Sequence, residues 1–157
     1  MAEATNFYEA NSLLFGKERL EVADLELMYR LEMTGEEFYY RLADRVGNPE
    51  AADLLRRNGV EERAHARRIA RALSIRLGRE WEPSPEHEEI LAVPLPDTVD
   101  AAFFLAVVQG EIAGDAGYQR GADREPNEEI ARLLRLNGRE ETIHAGRAQQ
   151  VHEILSR

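Results

Sequence analysis

The sequence predicts an all-α domain with four long helices, and three observations lead to that prediction. In four segments, apolar residues recur three and four positions apart, which is the spacing of one helix face. Four prolines fall between residues 76 and 97, where they forbid a continuous helix. Residues 32–66 and 111–145 align without a gap and are identical at 19 of 35 positions. These patterns predict two related helical hairpins within a single domain spanning residues 1–157.

The composition excludes several classes of function. A net charge of −10 argues against a nucleic-acid partner. The absence of cysteine rules out disulfides and thiolate metal sites. The first residues lack a signal-peptide pattern, and no apolar run is long enough to cross a bilayer. We therefore expect a cytoplasmic protein without a membrane partner.

The first hairpin is expected over about residues 18–75, after a short helix that packs on the body and ends at Gly16. Its first helix starts near Glu18, and one face of it consists of Leu25, Met28, Glu32, Gly35, Tyr39, Leu42 and Val46. The second helix starts at Asn48-Pro49, where Asn48 can cap the helix and Pro49 needs no hydrogen bond. Its inner face consists of Ala51, Leu55, Asn58, Glu62, His65, Ile69 and Ala72.

A crossover is expected over residues 76–97. A segment of about 20 extended residues reaches at most roughly 70 Å, which exceeds the length of a 25-residue helix. The segment can therefore run the length of a bundle. We expect Trp81 to pack it onto the helices, with one helical turn between Glu86 and Leu91.

The second hairpin is expected over about residues 98–156. Its first helix starts near Asp97-Thr98, and its inner face consists of Phe104, Val107, Glu111, Gly114, Tyr118 and Gly121. The last helix starts after Asn127, and its inner face consists of Ile130, Leu134, Asn137, Glu141, His144, Ala148, Val151 and Leu155. Two hairpins with one apolar face each are expected to pack as a four-helix bundle.

Four carboxylates and two imidazoles lie on these inner faces. Glu62 and His65 form a Glu-x-x-His motif, and Glu32 lies thirty residues before it. Glu111, Glu141 and His144 repeat the pattern 79 residues later. Because Glu and His three residues apart share one face of a helix, they can present an oxygen and a nitrogen to neighbouring ions. The alternative is that these are surface charges on a chain rich in glutamate.

The charges fit a pair of divalent cations. Four carboxylates carry −4, which two such cations neutralise, whereas the empty site would bury four like charges. Oxygen and imidazole ligands without thiolate suit iron or manganese. We therefore predict two iron ions as the cofactor, with manganese as the alternative.

With these residues in place, the chain resembles the ferritin-like di-iron carboxylate superfamily. The resemblance covers all four helices, and within the superfamily the chain looks like the rubrerythrin and encapsulated-ferritin branch. The spacing from Glu32 to His65 resembles one encapsulated-ferritin hairpin. Those proteins assemble the site from two chains, whereas this chain fuses two hairpins. The resemblance implies a ferritin-like bundle with a long crossover between its second and third helices, and a homo-oligomer, expected to be a dimer.

The chain departs from the rubrerythrin pattern beside the first metal ligand of each hairpin. Rubrerythrins carry an additional glutamate three residues after a helix ligand, where this chain has Gly35 and Gly114. They also add a cysteine-ligated domain, and this chain has no cysteine. Glu36 and Asp115 lie one residue further on. They are either partial substitutes for that glutamate or solvated charges on the helix surface.

Further residues are expected around the metal ligands. By resemblance, Glu61 orients His144 and Glu140 orients His65, with solvent exposure as the alternative. Tyr39 and Tyr118 are either core tyrosines or hydrogen-bond donors to a ligand carboxylate. Asn58 and Asn137 must find partners in the core, within helices that continue through the glycine that follows each of them. His87 and His152 are expected at the surface.

The function expected from these features is that of a non-haem di-iron oxidoreductase. It would react with dioxygen or hydrogen peroxide, as a ferroxidase or a rubrerythrin-like peroxidase, with an external electron donor. One alternative is a non-catalytic module for iron binding or storage, or a subunit of a larger assembly, for which the apolar segment 101–108 suits a partner helix. A di-iron hydroxylase is a further alternative, which the absence of an obvious large pocket on the inner faces disfavours.

Overall fold

The computed structural model describes residues 6–15 and 17–157. Within these residues the protein has six helices and no strands, which confirms the predicted all-α class. The helices are α1 (Phe7–Phe15), α2 (Val22–Arg45), α3 (Pro49–Leu77), α4 (Pro85–Glu88), α5 (Ala101–Asp123) and α6 (Glu128–Leu155). The predicted end of the first helix at Gly16 lies outside the described residues.

Four long helices form the bundle. α2 packs along α3, α5 packs along α6, and α3 contacts α6, while α1 packs against α2. The inner faces predicted for α2 and α3 are buried throughout. On α5, Phe104, Val107 and Tyr118 are buried, whereas Glu111, Gly114 and Gly121 are half-buried. None of the helices among the described residues combines the length and apolar character needed to cross a lipid bilayer.

Two helix starts differ from the prediction because other residues cap them. α2 begins at Val22 rather than near Glu18. At this start, the backbone N–H of Glu21 donates to the Asp24 carboxylate at 2.8 Å. α5 begins at Ala101 rather than near Asp97-Thr98, because the Asp100 carboxylate accepts from the backbone N–H of Phe103 at 3.0 Å. The start of α3 is confirmed, since Asn48 caps it by accepting from Ala51 N–H at 3.0 Å.

The glycines after Asn58 and Asn137 lie within continuous helices, as predicted. A Cβ on Gly59 would lie 2.5 Å from the Tyr40 ring of α2. A Cβ on Gly138 would lie 2.7 Å from the Asp115 carboxylate of α5. Glycine therefore allows the two helices of each pair to approach closely at this level.

The segment between α3 and α5 follows α2. Arg30 Nε donates to Glu89 O at 2.6 Å, Leu91 N–H donates to Thr34 Oγ1 at 3.0 Å, and Arg45 donates to Pro96 O at 3.4 Å. The Trp81 indole is buried, with its ring centre 5.1 Å from that of Tyr29, so its predicted packing role is confirmed.

Two histidines differ from the prediction of surface positions. His87 is half-buried, its Nε2 lies 2.7 Å from a Glu26 oxygen, and its ring contacts Trp81. His152 is also half-buried, and its Nδ1 donates to Ala101 O at 2.8 Å. His87 therefore links α4 to α2, and His152 links α6 to the start of α5.

Candidate metal centre

The two Glu-x-x-His motifs meet in the middle of the bundle, where α3 faces α6. The group Glu62, His65, Glu141 and His144 is buried, and each residue offers a donor atom within 4.8 Å of the others. The two imidazole rings are stacked with their centres 5.1 Å apart. The sequence prediction that the motifs come together is therefore confirmed.

The motif carboxylates each face both imidazoles. Glu62 places one oxygen 3.4 Å from His65 Nδ1 and the other 3.5 Å from His144 Nδ1. Glu141 does the same, at 3.5 Å from His65 Nδ1 and 3.4 Å from His144 Nδ1. Donor atoms about 2.1 Å from one shared ion lie roughly 3.0–3.4 Å from each other. These separations suit one ion beside each imidazole, with both carboxylates between them.

The partner carboxylates lie to either side of this group. A Glu32 oxygen is 3.4 Å from His65 Nδ1, and a Glu111 oxygen is 4.0 Å from His144 Nδ1. Each therefore adds an oxygen beside a different imidazole. All six residues predicted from the sequence surround the same space.

The buried nitrogen atoms test whether a cation fits. His65 Nδ1, His144 Nδ1 and His144 Nε2 are fully buried and have no hydrogen-bond partner among the described residues. The two Nδ1 atoms are the ones that face the carboxylates of Glu62 and Glu141. Buried nitrogens normally have such a partner, so these two are suited to bind an ion. Carboxylate oxygens surround both, which makes the donor set one for divalent cations such as iron or manganese.

In the metal-free site, raised pKa values favour protons on several of the buried groups. Burial raises the pKa values of Glu62 and Glu111, with the neighbouring acids adding to the shift. Burial alone would lower the pKa of His144, but the neighbouring Glu141 and Glu62 carboxylates outweigh it and raise the pKa to about 9. Because cations bind the deprotonated groups, cation binding is expected to release protons.

One of the two predicted histidine–carboxylate contacts is present at hydrogen-bond distance. His65 Nε2 lies 2.9 Å from a Glu140 oxygen, which fits a proton on Nε2 and leaves the Nδ1 lone pair available to an ion. The corresponding distance from His144 Nε2 to Glu61 is 3.6 Å, too long for a hydrogen bond. The prediction is confirmed for Glu140, whereas Glu61 makes only a longer ionic contact.

Two arginines complete this network, and the sequence analysis missed them. Arg68 donates to Glu140 and, at 3.1 Å, to Asn137 Oδ1. Arg147 donates to Glu61 and, at 3.0 Å, to Asn58 Oδ1. Although burial raises the pKa of Glu140, Arg68 and His65 hold it below its usual range. Because the two arginines are 79 residues apart, the repeat carried the signal for them.

The asparagines find the partners that burial requires. Asn58 Nδ2 donates to His144 O, and Asn137 Nδ2 donates to His65 O, both at 3.2 Å. Each asparagine therefore fixes the backbone of the histidine on the opposite helix, while an arginine satisfies its oxygen.

Both predicted tyrosines contact a metal-site carboxylate on the other hairpin. The Tyr39 hydroxyl donates to Glu111, and the Tyr118 hydroxyl donates to Glu32. Burial and these carboxylates raise the pKa values of both phenols well above the usual range, so the phenols remain donors at neutral pH. They are buried core residues and also hold Glu32 and Glu111 in place.

The two acids considered as partial substitutes, Glu36 and Asp115, pair with residues outside the cluster of glutamates and histidines. Glu36 accepts from Arg63 at 2.7 and 2.9 Å. Asp115 accepts from Thr142 at 2.5 Å and from Gln119 at 3.0 Å. A Cβ on Gly35 would lie 3.1 Å from the Glu62 carboxyl carbon, so a side chain there would press on a metal-site residue.

A cavity of about 500 Å³ adjoins the carboxylates between α1, α2 and α5. This corrects the sequence-based expectation that the inner faces leave no large pocket. The α5 lining includes the small residues Ala106, Gly110, Ala113 and Gly114, and the distance between α2 and α5 is one that the face pattern of a single helix does not determine.

Comparisons with protein-family models, with curated proteins and with solved structures find no match to this chain. The resemblance to ferritin-like proteins consequently remains an expectation based on the motif residues.

Proposed function

We propose that the protein is a non-haem di-iron oxidoreductase that reacts with dioxygen or hydrogen peroxide. The observation that carries the proposal is the pair of buried, unpartnered histidine nitrogens, each faced by an oxygen of both Glu62 and Glu141. Two imidazoles and four carboxylates form a donor set for two divalent cations. The +4 charge of the cations would cancel the −4 charge of the carboxylates. Ferritin-like architecture, with two fused hairpins related by a two-fold axis, is part of the proposal.

The roles of the residues follow from their positions. Glu62 and Glu141 would hold both ions, His65 and Glu32 would hold one of them, and His144 and Glu111 the other. Two ferrous ions there would supply the electrons that reduce the oxidant, and an external donor would restore those electrons. The tyrosine hydroxyls restrain Glu32 and Glu111, and Glu140 keeps the His65 proton on Nε2.

Metal analysis after anaerobic addition of ferrous iron tests the centre. We expect two ions per chain in the native protein and a loss of both in Glu62→Ala, because that carboxylate faces both imidazoles. Glu37→Gln is the matched control, since Glu37 pairs with Arg41 on the exposed surface of α2. A native chain without bound iron, or Glu62→Ala with full occupancy, would contradict the proposal.

Turnover separates enzyme from storage. The iron-bound protein is given peroxide or air together with an external reductant, and oxidant consumption is followed over several equivalents. Repeated consumption supports the oxidoreductase. A single round of oxidation followed by retained iron supports the alternative of a storage module.

A further inference from the structure

The cavity between α1, α2 and α5 is larger than the proposed oxidants require. Its volume of about 500 Å³ lies within the range of roughly 300–1,000 Å³ typical of sites for organic ligands. Dioxygen and hydrogen peroxide have two heavy atoms each, so most of this space would remain unused. The size indicates a second, larger occupant.

The walls define what that occupant can be. Leu31 and Phe38 of α2 and Phe103 and Val107 of α5 give the cavity an apolar lining. Among the lining residues that the structure describes, the only charged ones are Glu32, Glu62, Glu111 and Glu141, at the candidate metal centre. Because none of these described lining residues is cationic, the walls that they form offer no group to pair with an anionic ligand. An uncharged molecule with an aliphatic or aromatic body matches these walls.

α1 forms one wall of the cavity. α1 is held in place by the backbone N–H of Phe7, which donates to Ala92 O at 2.9 Å, and by the Tyr8 hydroxyl, which donates to Pro94 O at 3.1 Å. The Phe7 ring packs on Phe38 with ring centres 5.4 Å apart. The helix therefore closes over the space between α2 and α5 without filling it, and its Asn11 and Ser12 add polar groups to the lining.

We propose that this cavity binds an uncharged, mainly apolar organic molecule next to the carboxylate cluster. Binding rests on the cavity alone. The role of the molecule as the substrate or product of an oxidation rests on the proposed function. A surface for a second copy of the chain is the competing explanation, because Leu105 and Ile112 of α5 are half exposed.

Gly110 provides a variant that fills the cavity. It lies near the middle of the part of α5, from Phe103 to Gly114, that lines the cavity. A Cβ built on Gly110 has no neighbouring atom within 4 Å. Gly110→Leu should therefore occupy the space without a clash. Gly146→Leu is the matched control, because Gly146 is also helical, exposed and free of neighbours within 4 Å, but lies on α6 outside the cavity. Both changes improve helix propensity.

The test is a fluorescence titration with two probes that share one ring system, N-phenyl-1-naphthylamine, which is uncharged, and its anionic 8-sulfonate. The full chain is titrated as purified and after addition of zinc, which fills a metal site without redox chemistry. We expect the uncharged probe to bind at least about tenfold more tightly than the sulfonate. Gly110→Leu should weaken its binding by about tenfold or more, whereas Gly146→Leu should leave it within about twofold.

Several results would overturn the inference. One is equal binding of the two probes, and another is unchanged binding in Gly110→Leu. A third is exclusion of both probes by the native chain. This includes exclusion by a dimer, which light scattering would detect. Failure of the proposed function is distinguishable. Probe binding by a chain that takes up no iron would leave the inference standing, and iron uptake without probe binding would leave only the metal centre.

Discussion

Between α3 and α6 the helices are joined by buried polar contacts, whereas between α2 and α5 an apolar cavity separates them. On the α3–α6 side, each histidine backbone is held by an asparagine of the opposite helix, and each asparagine by an arginine. On the α2–α5 side, the polar links that the described residues make at the site are the tyrosine hydroxyls on Glu32 and Glu111. The first side fixes the imidazoles, and the second leaves access to the carboxylates.

The difference assigns separate tasks to the two sides. Imidazole nitrogens need one fixed orientation to bind an ion, and satisfied polar networks provide that rigidity. Access by an oxidant or an organic molecule requires empty space, which dense packing would remove. Changes on the α3–α6 side should therefore alter stability and metal affinity, and changes on the α2–α5 side should alter access.

The largest expected effect comes from breaking the polar network on the α3–α6 side. Asn137→Leu removes the donor to His65 O and leaves the buried end of Arg68 without its amide partner. We expect a loss of about 1–3 kcal/mol in the free energy of unfolding, measured by urea denaturation of the metal-free protein. Val60→Ala, at an exposed position of α3, is a control that should stay within about 0.5 kcal/mol. A loss no larger than that of the control would show that the network is dispensable.

The two histidine–carboxylate contacts sharpen the comparison within the α3–α6 side. Glu140→Gln should weaken metal affinity by roughly 10–100-fold, because Glu140 lies within hydrogen-bond distance of His65. Glu61→Gln should have a smaller effect, since its oxygen is 3.6 Å from His144. Competition with a chelator measures both affinities. Equal effects, or unchanged affinity in Glu140→Gln, would contradict the assigned roles.

The pH dependence of the metal-free protein should follow the raised pKa values. His144 has a folded-state pKa of about 9 against an unfolded value of 6.5, so its stabilising proton is retained below pH 6.5 and lost as pH rises through 9. The raised pKa values of Glu62 and Glu111 act in the same direction. We expect the melting temperature to fall by several degrees from pH 6.5 to 9. Saturating zinc should reverse this trend, because cations bind the deprotonated groups.

The smallest expected effect concerns the α2–α5 side. Gly114→Ala places a Cβ at an ordinary 3.6 Å from Glu141, so better helix propensity should stabilise the protein by up to about 1 kcal/mol and leave metal content unchanged. Gly35→Ala places its Cβ 3.1 Å from the Glu62 carboxyl carbon and should lower metal affinity. Thermal melting measures the stability of the two variants, and metal analysis measures their metal binding. Identical metal affinities would show that Gly35 has no role in positioning Glu62.

The motif residues were predictable because helical periodicity is local. Glu62 and His65 must share a face wherever the helix packs, and the repeat places Glu141 and His144 on an equivalent face. The helix starts were less predictable, since Asp100 rather than Asp97 or Thr98 caps α5. The N-cap is the residue whose backbone is still extended just before the helix, and several adjacent residues had side chains suited to that position.

The sequence by itself determined the all-helical class and the helix faces that carry the six candidate metal ligands, because each depends on spacing along one helix. Only the tertiary structure decided which carboxylate faces which imidazole, that Arg68 and Arg147 complete the network, and that a cavity separates α2 from α5. These features depend on distances between helices. Such distances arise from how small and large side chains fit together across elements, which no single helix pattern encodes.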